Sequence, residues 1–138
     1  MTAPVIVICD DEAELVSELA EWFEARGWAV HKAYSADEAL LLLGEEGRRT
    51  TCLVTDKLMP VWSGDALAQH LSTLPLDNRP DLVAVMTGDF SIEDTPRPGG
   101  VDAVFIKPVD PNEILSAITQ QLKTRVARKP PLALSNAS

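Results

Sequence analysis

The stretch Pro4-Val5-Ile6-Val7-Ile8-Cys9-Asp10-Asp11-Glu12 is an apolar run that stops abruptly on three acids. A short, unbroken apolar run fits a strand covered on both faces, which is how strands of a parallel sheet are buried. Three more runs end comparably: Cys52-Leu53-Val54-Thr55 at Asp56, Leu82-Val83-Ala84-Val85-Met86 at Thr87, and Val101 to Ile106 at Lys107-Pro108. Strands of an open parallel sheet share one carboxyl edge, outside which ligands bind. Carboxylates, a hydroxyl and an ammonium are therefore expected to meet there.

Segments of helical period lie between these runs, giving the alternation of a doubly wound α/β sheet. Leu15, Leu19, Trp22 and Phe23 share one face of a first helix over Glu12 to Arg26, and Gly27 supplies its stop. Trp28 to Tyr34, interrupted by His31 and Lys32, reads as an edge strand. Ser35-Ala36-Asp37-Glu38 is a capping box opening a second helix. Its run Leu40 to Leu43 is wider than one buried stripe needs, so Leu41 or Leu42 belongs either to a broad core face or to a partner-binding patch. Leu67, Leu71 and Leu74 mark a third helix from near Gly64 to before Pro75, and Asp110-Pro111-Asn112-Glu113 opens a last one with Ile114, Leu115, Ile118 and Leu122 on one side. Between Phe90 and Gly100, Pro96, Pro98 and two glycines leave room for a shortened or irregular helix only. The expected fold is flavodoxin-like, a five-stranded parallel sheet in the order 2-1-3-4-5, with residues 1–125 as the domain and 126–138 as a flexible tail or linker.

A chain of 138 residues carries one core. No apolar run approaches the ~20 residues that span a bilayer, and Met1-Thr2-Ala3-Pro4 enters the first strand without a secretory pattern, so a cytoplasmic protein with no membrane partner is expected. The formal charge of −9, from 21 acidic and 12 basic residues, repels phosphate backbones and argues against direct nucleic-acid binding. Cys9 and Cys52 fall in predicted strands without zinc-ligand spacing; structural thiols are expected, with a disulfide between neighbouring strands the open alternative.

In this winding the topological switch lies between the first and third strands, so Asp10, Asp11 and Asp56 flank one crevice. Carboxylates that close raise one another's pKa unless a cation compensates. Oxygen donors of this kind suit magnesium, or manganese, and nothing soft is offered for zinc. Lys107 adds an ammonium from a neighbouring strand, a combination that attracts a phosphoryl group and neutralises charge as it passes to a carboxylate. Singly, each residue has a plainer reading: an aspartate as a turn cap, Lys107 as surface, Phe105 as core, Thr87 as a solvated hydroxyl.

Taken together, Asp10-Asp11-Glu12, Asp56-Lys57-Leu58-Met59-Pro60 with Gly64, Thr87-Gly88 and Phe105-Ile106-Lys107-Pro108 resemble the receiver domain of bacterial two-component response regulators, over roughly residues 4 to 123. The resemblance implies that Asp56 is the phosphoacceptor and that Asp10, Asp11, Asp56 and the backbone carbonyl of Leu58 hold the metal. It implies that Lys107 pairs with phosphoryl oxygens, that Thr87 and the aromatic Phe105 switch together, and that the Lys107–Pro108 bond is cis. The implied donor is a sensor histidine kinase or histidine phosphotransfer protein, and the implied output a protein target not legible in the chain. Leu58 and Asp89 stand where the family tunes the attacking water, and the irregular segment before Val101 implies an order in residues 89–100 that depends on phosphorylation. Such a domain is no enzyme beyond its own phosphorylation and dephosphorylation. Two other readings are a phosphorylation-independent interaction module and a phosphatase of the haloacid dehalogenase type; the latter carries a second aspartate where Leu58 stands.

Overall fold

The computed structural model describes residues 3–45, 49–59, 61–88 and 99–128. Five strands, β1 (Val5–Cys9), β2 (Ala29–Ala33), β3 (Cys52–Asp56), β4 (Leu82–Thr87) and β5 (Ala103–Ile106), form one parallel sheet in the order β2-β1-β3-β4-β5. Among the described residues four α-helices flank it: α1 (Ala13–Glu24), α2 (Ala36–Leu43), α3 (Gly64–Leu71) and α4 (Pro111–Arg128). The expected strand order is the observed one.

Alternation along each strand divides the core in two. Ile6 and Ile8 of β1 join Val54, Met86, Phe23 of α1 and Ile114 of α4 on one side of the sheet. Val7 and Cys9 join Leu53, Ala39 of α2 and Leu67 of α3 on the other. Cys52 lies in the first cluster and Cys9 in the second, with Cys52 level with Ile6 and Cys9 with Thr55. Both thiols are free and buried, and their placement on opposite sides of the sheet removes the disulfide alternative.

The helix signals act locally. Ser35 Oγ accepts the Glu38 amide at 3.2 Å, while Glu38 Oε1 accepts the amide of Tyr34 at 2.7 Å, one residue earlier than a standard capping box. Asp110 Oδ1 accepts the Asn112 amide at 2.9 Å and starts α4. That helix continues through Arg128, past the expected boundary at residue 125; residues 129–138 of the expected tail lie outside the described residues. Of the irregular segment expected from Phe90 to Gly100, residues 90–98 also lie outside them, as does Asp89. In α2, Leu41 is 75% exposed while Leu42 packs against the core, so the leucine run exceeds the buried stripe at Leu41.

Gly64, the first residue of α3, fixes how closely that helix meets β3. A Cβ there would lie 2.2 Å from the Asp56 carbonyl oxygen, a backbone atom that cannot turn aside. Gly27, by contrast, has open space around it and a φ of +89°. Gly64→Ala is expected to lose roughly 2 kcal/mol or more in urea unfolding through displaced backbone, against about 1 kcal/mol for Gly27→Ala through its left-handed conformation.

Candidate functional site

Pairing register brings the strand ends into line. Cys9 is level with Thr55, Asp56 with Met86, and Thr87 with Ile106, so Asp10 and Asp56 are level, Thr87 lies one residue further along and Lys107 two. Each is the last residue of its strand or the one after it.

Asp10 is fully buried. Its amide donates to the Ala33 carbonyl at 3.1 Å, and its Oδ1 accepts the Glu12 amide at 2.9 Å, which locks the carboxylate between β1 and the start of α1. Lys107 Nζ donates to Asp10 Oδ2 at 2.9 Å and lies 3.1 Å from Asp56 Oδ1 and 3.3 Å from Glu12 Oε1. The Lys107 amide donates to the Thr87 carbonyl at 2.7 Å, so the end of β4 sets where the lysine side chain departs. The following bond to Pro108 is cis. Asp11 is exposed, yet one carboxylate oxygen from each of Asp10, Asp11 and Asp56 lies within 4.8 Å of the others.

Among these groups four carboxylates, of Asp10, Asp11, Glu12 and Asp56, face one ammonium, and charge compensation is incomplete without a further cation. The donors at the cluster are all carboxylate oxygens. The nearby thiol turns away, with Cys9 Sγ at 3.4 Å from the Ser35 carbonyl oxygen and 3.6 Å from Met59 Sδ, and burial pushes its pKa up to about 11, so it stays protonated. A hard, oxygen-seeking divalent ion such as magnesium or manganese fits this donor set, and a thiophilic one does not.

The other predicted residues take distinct places. Thr87 is buried, unlike the solvated hydroxyl of its plainer reading. Phe105 is half-buried against the cluster shared with α1 and α4. Leu58 follows β3 with its side chain 73% exposed. Pro60 lies outside the described residues. Two contacts escaped the sequence reading. Glu12 is a third acidic neighbour of Lys107, and Lys57, next to Asp56, forms an ion pair with Asp65 of α3. No local periodicity signals either pair, because each bridges a loop or most of the chain.

Burial holds the Asp56 carboxyl above the ordinary carboxylate range, and the hydrogen bond from Lys107 only partly offsets it. Burial alone would lower Lys107, but its hydrogen bonds with Asp10 and Asp56 outweigh that and raise it. A raised carboxyl pKa contributes stability that is complete below the ordinary value and lost as pH rises through the raised one. The raised lysine keeps its contribution until strong alkali, leaving the neutral range to Asp56. Metal-free protein is therefore expected to lose stability relative to Asp56→Asn as pH rises from the ordinary carboxylate range toward neutrality, in urea unfolding at stepped pH. Added magnesium is expected to reverse that order.

Comparison with known proteins agrees with the geometry. Residues 6–119 match the family model of the response regulator receiver domain. The chain is 33% identical over 128 residues to the transcriptional regulatory protein FixJ of Rhizobium meliloti, covering 92% of this chain and 61% of FixJ. It is 26% identical over 118 residues to a Haloferax volcanii protein, of which it spans only 19%. A response regulator receiver domain protein from Clostridium thermocellum superposes with a TM-score of 0.77 at 21% identity, covering 90% of this chain and 98% of that one, and so shares its fold. A Burkholderia pseudomallei response regulator, crystallised with a phosphorylated aspartic acid, calcium ion and citrate, gives a TM-score of 0.69 at 28% identity over 92% of this chain and 75% of its own. This acidic edge, its lysine and the sheet that aligns them place the chain in the response regulator receiver domain family.

Proposed function

We propose that Asp56 accepts a phosphoryl group from a phosphohistidine of a sensor histidine kinase or histidine phosphotransfer protein, and that the modified edge controls a downstream protein target. The observation that carries this reading is the bridge of Lys107 Nζ between Asp10 and Asp56, with Asp11 completing the carboxylate cluster beside it.

In the transfer, an Asp56 carboxylate oxygen forms a bond to phosphorus, the bond from phosphorus to the donor imidazole nitrogen breaks, and that nitrogen keeps the electron pair. Asp10, Asp11, Asp56 and the Leu58 carbonyl are the residues to hold magnesium or manganese, which supplies positive charge for the equatorial oxygens when bound. Lys107 already sits 3.1 Å from Asp56 Oδ1 and passes its hydrogen bond to a phosphoryl oxygen as the carboxylate becomes an acyl phosphate. The Thr87 hydroxyl donates to another phosphoryl oxygen, and the movement of its strand end draws Phe105 inward. Leu58 stands in place of the second catalytic acid that a dehalogenase-type phosphatase requires, which favours a switch over a hydrolase. A described chain with no helix long and apolar enough to cross a membrane is consistent with a cytoplasmic switch.

Acetyl phosphate with magnesium is expected to add the mass of one phosphate to the intact protein. Asp56→Asn should abolish the addition, and Lys107→Ala should slow it about a hundredfold, the scale of losing one positioned charge at a reacting oxyanion. An unchanged mass in the wild type would favour the phosphorylation-independent module.

A cleft of about 180 Å³ shares Asp11 with the site and is walled by Tyr34, Met59, Val61 and Trp62. Trp22 and Trp28 instead pack edge-on to Phe23. Beryllofluoride with magnesium is therefore expected to change tryptophan fluorescence through Trp62, and Trp62→Phe should remove the change.

A further inference from the structure

The loop joining β3 to α3 leaves directly from Asp56. Val61 is 96% exposed and holds φ at +72°, a left-handed conformation that a β-branched residue adopts only under constraint. Leu58 projects into solvent as well. Constraint must come from elsewhere.

It comes partly from the loop's base. The Lys57 amide donates to the Met86 carbonyl at 2.8 Å, and the Gly64 amide donates to the Lys57 carbonyl at 2.8 Å. Above this backbone closure the Lys57 ammonium reaches across the loop to the Asp65 carboxylate, both side chains being mostly withdrawn from water. Inside the loop, Met59 packs by Cys9, and Trp62 stands edge-on to His70 of α3 with ring centres 5.5 Å apart. Lys57 is one residue from Asp56 in the chain, yet its charge is spent on Asp65 rather than on the carboxylate cluster.

We infer that Lys57 and Asp65 form a latch, a pair of positioning residues that hold this loop closed in the shape that presents the Leu58 carbonyl to the metal. Opening the latch lets Val61 relax out of its left-handed conformation, and the loop carbonyl then moves off the site. The inference rests on the phosphoacceptor reading of Asp56, including the Leu58 carbonyl as a ligand of the proposed metal, and its test separates the latch from that reading.

Simple Coulomb attraction gives a contrary expectation for one variant. Removing the Lys57 charge beside several carboxylates should tighten magnesium binding if charge alone matters, whereas an opened latch weakens it. Calorimetric titration with magnesium chloride, at a temperature where unfolding curves show each protein folded, is expected to give about threefold weaker binding for Lys57→Met, a size set by the worth of a partly exposed ion pair. Lys57→Arg should restore wild-type affinity. Asp65→Asn should also weaken binding, and the double variant Lys57→Met/Asp65→Asn should fall short of the product of the two losses. Equal or tighter binding by Lys57→Met, or fully multiplicative losses in the double variant, would overturn the latch and leave the phosphoacceptor reading intact. Absence of magnesium binding in the wild type would overturn both.

Discussion

The ammonium of Lys107 is the interaction on which this structure depends. Asp10 is fully buried and Asp56 nearly so, and two such carboxylates side by side carry a desolvation cost that the backbone donors around them only partly meet. Lys107 touches both, and Glu12 as well, from a strand that forms the far edge of the sheet. It makes a concentrated negative site compatible with folding without neutralising it. The remaining excess of carboxylate charge favours a divalent cation at this edge.

What allows one lysine to serve three acids is the register of the sheet. Because β1, β3, β4 and β5 pair in parallel with their ends nearly level, residues separated by most of the chain arrive within hydrogen-bond reach. The hydrogen bond from the Lys107 amide to Thr87 carries this alignment beyond the last paired residue. The two apolar layers on either side of the sheet fix the strands that do the aligning. Packing thus supports the site indirectly, by refusing any slip of register that would reverse the faces of β1 or β3.

Around this fixed frame the β3–α3 loop is held by a different balance. Gly64 lets α3 start against the Asp56 carbonyl, where no side chain fits, while the loop tip keeps Val61 in a costly conformation. Rigid strand ends and a constrained loop meet at one carboxylate.

Much was legible in the chain because it is written locally. Unbroken apolar runs ending at Asp10, Asp56, Thr87 and Lys107 announced a buried parallel sheet with one reactive edge, and Ser35 with Glu38, or Asp110 before Pro111, announced helix starts through contacts only a few residues apart. Tertiary structure alone decided the rest. That Cys9 and Cys52 lie on opposite sides of the sheet, that Leu41 faces solvent, that Glu12 joins Lys107, and that Lys57 turns to Asp65 are consequences of how elements pack. Periodicity assigns a residue to a face or a strand end. Which distant group stands opposite it is set only when register and helix position are fixed by burial of the whole core.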